Sequence, residues 1–177
     1  MRCVFPGTFN PPTVAHLAIA DAAREQFGLT ALDFAITNVP LGKEGLVRPT
    51  VDERATVLRH VCATRPGYDV VVTDQRLIAD IATGYDAVVV GADKWAQIID
   101  PLWYADISAR DAALRRLPPI VIVTPRAGSA IDASLHPVHW LTIDPVHLHV
   151  SSTAARGGEL HLMLAEAVAS GLWGDTP

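Results

Sequence analysis

Two runs of β-branched residues, Val88-Val89-Val90 and Ile120-Val121-Ile122-Val123, constrain the fold of this chain more than any other feature. A strand with one wet face alternates apolar and polar residues, whereas a run that is apolar at every position is covered on both faces, as in a parallel sheet layered between helices. The rest of the sequence agrees. Strand-like segments at Arg2 to Phe5, Leu32 to Asn38, Asp69 to Thr73, Ala87 to Val90, Ile120 to Thr124 and, more briefly, His139 to Ile143 alternate with helical stretches. Those stretches run at about Val14 to Phe27, Val51 to Thr64, Gln75 to Thr83, Trp95 to Leu117 with a break at Pro101, and Glu159 to Ser170. Gly28 and the Pro66-Gly67 pair supply helix stops. The pattern predicts an α/β protein: a doubly wound parallel sheet of five or six strands, one domain over residues 1–177, with a C-terminal helical segment from about 151 to 177.

In such a sheet, ligands sit beyond the carboxyl ends of the strands, and the polar clusters of this chain follow those ends. Cys3-Val4-Phe5 leads into Pro6-Gly7-Thr8-Phe9-Asn10-Pro11-Pro12-Thr13-Val14-Ala15-His16. Glycine lets backbone approach a ligand, prolines stiffen the loop, and Thr13 and His16, three residues apart, share the first helical turn, where unpaired N–H groups favour an anion. A Pro-rich turn before an ordinary helix is the plainer alternative. Arg54 lies in helical phase with Val51, Leu58 and Val61, so its guanidinium is expected to be buried and paired with either a carboxylate or a ligand phosphate. Lys43 and Arg48 sit on a Gly-flanked loop. Gly91-Ala92-Asp93 follows a buried strand, where Asp93 can receive ribose hydroxyls or cap the next helix. Trp95 and Trp103 come next, each able to stack on a flat ring or to fill the core. Finally, Ser151-Ser152-Thr153 with Arg156 one turn on forms either a second anion site or a capped helix start. His147 and His149 alternate in strand fashion, and no third ligand at zinc-like spacing accompanies them.

Composition narrows the partners. The chain carries a net charge of −5, with 14 Lys and Arg and no basic block, which argues against a nucleic-acid partner and leaves room for a small anionic substrate. Cys3 and Cys62, far apart in apolar settings, read as buried thiols rather than a disulfide. With neither a signal peptide nor a membrane span in view, the expected location is the cytoplasm. A nucleophile elbow, a P-loop and a G-x-G-x-x-G turn are all missing from the sequence, so covalent catalysis is not indicated.

The segment from Gly7 to His16 resembles the T/HxGH signature of small nucleotidyltransferases, and Val150 to Arg156 resembles their ISSTxxR signature. With Asp52-Glu53-Arg54, Gly91-Ala92-Asp93, Thr124-Pro125-Arg126 and the closing Leu164 to Trp173 segment, the chain looks most like the Rossmann-like nicotinate or nicotinamide mononucleotide adenylyltransferases. The resemblance implies attack of an acceptor phosphate on the α-phosphate of ATP, with release of pyrophosphate and with Mg²⁺ bridging phosphate oxygens rather than held by a metal site of the protein's own. It assigns His16, Thr13 and Lys43 to catalysis. Nucleotide binding falls to Gly7, Thr8, Phe9, His16, Gly91, Asp93, Ser151, Ser152, Thr153 and Arg156, and the second substrate to Asn10, Lys43, Arg54 and Trp103. It allows a homo-oligomer. Three features depart from the pattern: Thr13 replaces a frequent first His, Ala15 stands at a Gly position, and Asp74 to Tyr85 is short. The last, with Thr13, resembles phosphopantetheine adenylyltransferase, although the Arg expected after Gly91 there is absent. The alternatives are a nucleotide-binding protein with lost or narrowed catalysis, or a phosphopantetheine or cytidylyl-type transferase.

Overall fold

A computed structural model describes residues 1–42, 45, 48–125 and 132–174. Strands β1 (Arg2–Pro6), β2 (Ala31–Thr37), β3 (Tyr68–Thr73), β4 (Ala87–Gly91), β5 (Ile120–Thr124) and β6 (His139–Trp140) form one sheet in the order β3-β2-β1-β4-β5-β6, every pair parallel. The order reverses between β1 and β4, so a crevice opens beyond their carboxyl ends. Both faces are covered, as the β-branched runs predict. Cys3, Phe5, Val89 and Ile122 face one core while Val4, Val88, Val90, Val121 and Val123 face the other. That is the period of two of a strand, with apolar residues demanded at both phases.

Helix α1 (Val14–Phe27) begins and ends where local signals place it: Thr13 caps its start and Gly28, at φ 61°, turns the chain out of it. Helix α2 (Val51–Ala63) starts on a Thr50–Glu53 capping box, in which Thr50 N–H donates to Glu53 Oε2 at 2.7 Å. Two expected helical stretches are built from shorter pieces. The stretch from Gln75 to Thr83 holds only α3 (Ile78–Ile81), because Gln75 is held extended by Thr37, whose hydroxyl donates to its carbonyl at 2.6 Å. The Trp95 to Leu117 stretch divides into α4 (Ala92–Ile99), a 3-10 turn (Pro101–Trp103) and α5 (Ile107–Leu114). Asp100 and Asp106 end one piece and start the next by accepting from the N–H groups of Leu102 and Ala109. Near the C-terminus, α6 (Ser152–Arg156) and α7 (Ala165–Ser170) flank extended Met163, which bridges Thr13. His147 ends a 3-10 turn (Pro145–His147) and is followed by a turn, so the strand-like alternation expected of His147 and His149 is not formed.

Cys3 is fully buried and Cys62 partly so, and both are free thiols. Burial pushes the Cys3 thiol up to about 12 and Cys62 to about 11. Native protein is therefore expected to resist iodoacetamide at pH 8, with both thiols labelling only after denaturation. The sign of the linkage follows. An unfolded Cys3 ionises near its ordinary value of 9.0 while the folded thiol keeps its proton to about 12, so stability falls as pH rises through that window. Rapid native-state labelling of Cys3 would contradict this.

Candidate active site

The crevice at the switch point is a cleft of about 570 Å³. The loop after β1 supplies Thr8, Thr13 and His16, the start of α4 supplies Asp93 and Lys94, and the start of α6 supplies Ser151, Ser152 and Thr153. A narrower pocket of about 80 Å³ adjoins it, walled by Leu77, Ile78, Ile81 and Ile98, with Arg76 and Tyr104 also lining it. Thr8, Lys94 and Trp103 line both, and so mark the seam between them.

His16 is oriented by its own helix. Thr13 N–H donates to its Nδ1 at 3.0 Å, Thr13 Oγ1 lies 2.9 Å from the same nitrogen, and the Phe9 and Phe5 rings pack edgewise at 5.0 and 6.0 Å. Phe9 itself is buried in the core, with φ at 44°, rather than lining the cleft as expected of a nucleotide-binding residue. Its ring also explains Gly7: a Cβ there would stand 2.8 Å from Phe9. The glycine answers to this ring, and it lines the narrow pocket rather than the cleft.

Arg54 is buried, as its helical phase predicts, and its protein partners are backbone carbonyls rather than a carboxylate. Its Nε donates to the carbonyls of Pro49 at 3.1 Å and Thr50 at 3.3 Å, and its Nη1 to the carbonyl of Thr8. Burial pulls its pKa below the usual range, yet a guanidinium stays charged and satisfies itself on backbone oxygens. Its effect on the site runs through Thr8.

Asn10 and Arg156 are brought together behind Thr153, which lines the cleft. Arg156 Nη1 donates to the Asn10 carbonyl, Nη2 reaches Thr153 Oγ1 at 3.4 Å, and Asn10 Oδ1, buried, accepts from the Trp173 indole. Ser152 Oγ donates to the Pro11 carbonyl at 2.9 Å and Leu164 N to that of Pro12 at 3.1 Å. The C-terminal segment thus clasps the loop after β1, which fixes the distance between the two sides of the cleft. Ser151 caps α6 through the N–H of Ala154 and also lines the cleft.

Gly91 is the N-cap residue of α4, which places Asp93 in the first turn rather than at the cap, and both line the cleft. Trp95 is fully buried, its indole donating to the Asp132 carbonyl at 2.8 Å, while Trp103 is 37% exposed at the seam. Lys43 and Arg126 lie outside the described residues. His147 lines the cleft with its Nδ1 buried and lacking a hydrogen-bond partner among the described residues. Sequence reasoning missed Lys94, Gln97 and Arg76. Starting α4 at the strand end, where Gly91 closes β4, would have put Lys94 in the first turn facing the crevice, with Gln97 one turn on accepting its Nζ.

Similarity to known proteins bears on this geometry. The family model described as cytidylyltransferase-like matches residues 4–158. A probable nicotinate-nucleotide adenylyltransferase of Salinibacter ruber is 29% identical over 137 residues, 70% of this chain and 67% of that protein. A phosphopantetheine adenylyltransferase of Cutibacterium acnes is 31% identical over 93 residues, covering 51% of this chain and 55% of that one. The matched region therefore spans about two thirds of the first relative and about half of the second. Plasmodium falciparum nicotinic acid mononucleotide adenylyltransferase shares the fold, with TM-scores of 0.67 in its complex with NaAD and 0.65 in its complex with APC, at 12% identity. These alignments cover 97% and 96% of this chain, and 96% and 93% of the Plasmodium chains.

Proposed function

The chain belongs to the cytidylyltransferase-like family, and from that premise we propose that it transfers AMP from ATP to the phosphate of nicotinate mononucleotide. One observation carries this reading: two pockets of different size and lining meet at a seam that holds a cation, Lys94. A transferase that brings a second substrate up to ATP needs such a second pocket. In the reaction an acceptor phosphate oxygen attacks the α-phosphorus, a new P–O bond forms, the bond to the bridging oxygen breaks, and pyrophosphate leaves. Such a transfer needs positioning and charge neutralisation more than proton transfer. His16 and the hydroxyls of Ser151 and Thr153 hold the triphosphate from two sides, with Ser152 tying that helix start to the Pro11 carbonyl; Asp93 and Gly91 meet the nucleoside, and Lys94 neutralises the converging phosphates. ATP enters as its Mg²⁺ complex. The cleft suits a metal carried by phosphate oxygens, since no group of three potential ligands occurs among the described residues and Asp93 is the carboxylate at hand. Bound there, Mg²⁺ would withdraw charge from the phosphates.

A second reading keeps the chemistry and changes the acceptor to phosphopantetheine. It is favoured by the apolar wall of Ile78, Ile81 and Ile98, and by the Cutibacterium relative. Ala15, 5% exposed at the cleft, leaves a methyl group where the nucleotide would pass, which is the ground for a binding-only alternative. Pyrophosphate release with MgATP or MgCTP against nicotinate mononucleotide, nicotinamide mononucleotide and phosphopantetheine separates the three. Release with MgATP and nicotinate mononucleotide above the others supports the proposal. Preference for phosphopantetheine selects the second reading, and nucleotide binding without release selects the third. Trp103→Ala is expected to raise the acceptor KM about tenfold, the worth of a stacked aromatic contact, with ATP affinity nearly unchanged; initial rates at saturating ATP measure it. The reaction is assigned to the cytoplasm, a setting in which Cys3 and Cys62 stay reduced; among the described residues no helix is long and apolar enough to cross a membrane.

A further inference from the structure

His16 occupies the third position of α1, where a capping box ordinarily carries Glu or Gln to receive the N–H of the cap residue. Here the receiving group is an imidazole. Thr13 N lies 3.0 Å from His16 Nδ1 and donates to it, and Thr13 Oγ1 lies 2.9 Å from the same atom. A backbone N–H can only donate. A proton on Nδ1 would set two N–H bonds head to head across that distance, so Nδ1 is bare and presents its lone pair. An imidazolium, which carries protons on both nitrogens, does not fit the same geometry. The single ring proton therefore sits on Nε2, and the residue that carries it lines the cleft. Phe5 and Phe9, packed edgewise on the ring, hold it in this orientation.

We infer that Thr13 is a positioning residue that locks His16 as the neutral Nε2–H tautomer, so that His16 meets the triphosphate as an uncharged hydrogen-bond donor and not as a cation. The role in binding rests on the reading of the cleft given above; the tautomer does not. Two consequences follow. Positive charge at the phosphates comes from Lys94 and the bound metal ion, with His16 contributing direction. Thr13, moreover, acts mainly through its backbone N–H, so its hydroxyl is the lesser part of the device.

The test is a ¹⁵N spectrum of the imidazole nitrogens in the intact protein at neutral pH, with His16 assigned by its loss in His16→Gln. The expected result is two well-separated signals, Nδ1 unprotonated and Nε2 protonated. Thr13→Val, which keeps the N–H, should preserve the pair. Added MgATP should shift the Nε2 signal while Nδ1 stays unprotonated. Averaged signals, a proton on Nδ1, or an imidazolium pair in the free or MgATP-bound protein would overturn the assignment. Turnover supplies a second arm. His16→Gln, whose amide N–H can stand in for Nε2–H, should keep kcat within about tenfold of the unaltered protein, whereas His16→Asn, which reproduces only the Nδ1 position, should fall with His16→Ala. Equal loss in Gln and Asn overturns the donor role. If no acceptor supports turnover, the fault lies with the substrate assignment, and the spectrum still decides the tautomer.

Discussion

Replacing His16 with alanine is expected to lower kcat by about 10²–10³-fold, the usual consequence of removing one preorganised donor from a developing phosphate charge. Ground-state binding of ATP should change much less, because the hydroxyls of Ser151 and Thr153 and the cation Lys94 remain in the cleft. The fold should survive. Thr13 keeps its own cap on α1, and what is lost is the reciprocal acceptor for its N–H, worth about 1–3 kcal/mol. Steady-state rates with MgATP and nicotinate mononucleotide, with circular dichroism as the folding control, measure the effect. A kcat within fivefold of the unaltered protein would remove His16 from the catalytic centre.

The same residue shows what a sequence can disclose. Helix α1 is legible to its last residue because its boundaries are set locally, by a capping threonine at one end and a left-handed glycine at the other. The doubly wound sheet is legible because complete burial leaves a compositional mark on β4 and β5. The stretch from Trp95 to Leu117 announces its break through Pro101, but not the extent of it: only the side-chain bonds of Asp100 and Asp106 to the N–H groups of Leu102 and Ala109 show where the chain leaves one helix and enters the next. Site residues divide the same way. His16, Asp93 and Ser151 to Thr153 follow strand ends or start helices, and they reach the cleft. Asn10 and Arg156 lie 146 positions apart and are joined by one bond, from the guanidinium to the Asn10 carbonyl, a pairing no local pattern announces. Lys94 is legible only once α4 is started at Gly91, where β4 ends, because a lone lysine in the middle of a helix carries no signal of its own.

Arg54→Met is expected to cost the protein a large part of its stability. Methionine matches the buried stem and removes the fork, leaving the carbonyls of Pro49 and Thr8 without their donor; Thr50 keeps the N–H of residue 54 as a partner. Two orphaned carbonyls at about 1–3 kcal/mol each give a loss of about 3 kcal/mol, or roughly 6–12 °C in Tm for a domain of this size. Arg54→Lys should recover little, since one ammonium cannot span the carbonyls of two separate loops. The functional consequence distinguishes this from a generic core defect. Thr8 lines both pockets, and Arg54 ties it to the loop ahead of α2, so KM for both substrates should rise together in the fraction that remains folded. Leu58→Ala, a buried change on the same helix that touches neither carbonyl, provides the comparison. It should lower Tm by a similar amount through a cavity and leave both KM values unchanged. If the two variants shift KM alike, Arg54 is a core residue without a positioning role; if Arg54→Met alone does so, the buried guanidinium holds the seam between the two pockets in place.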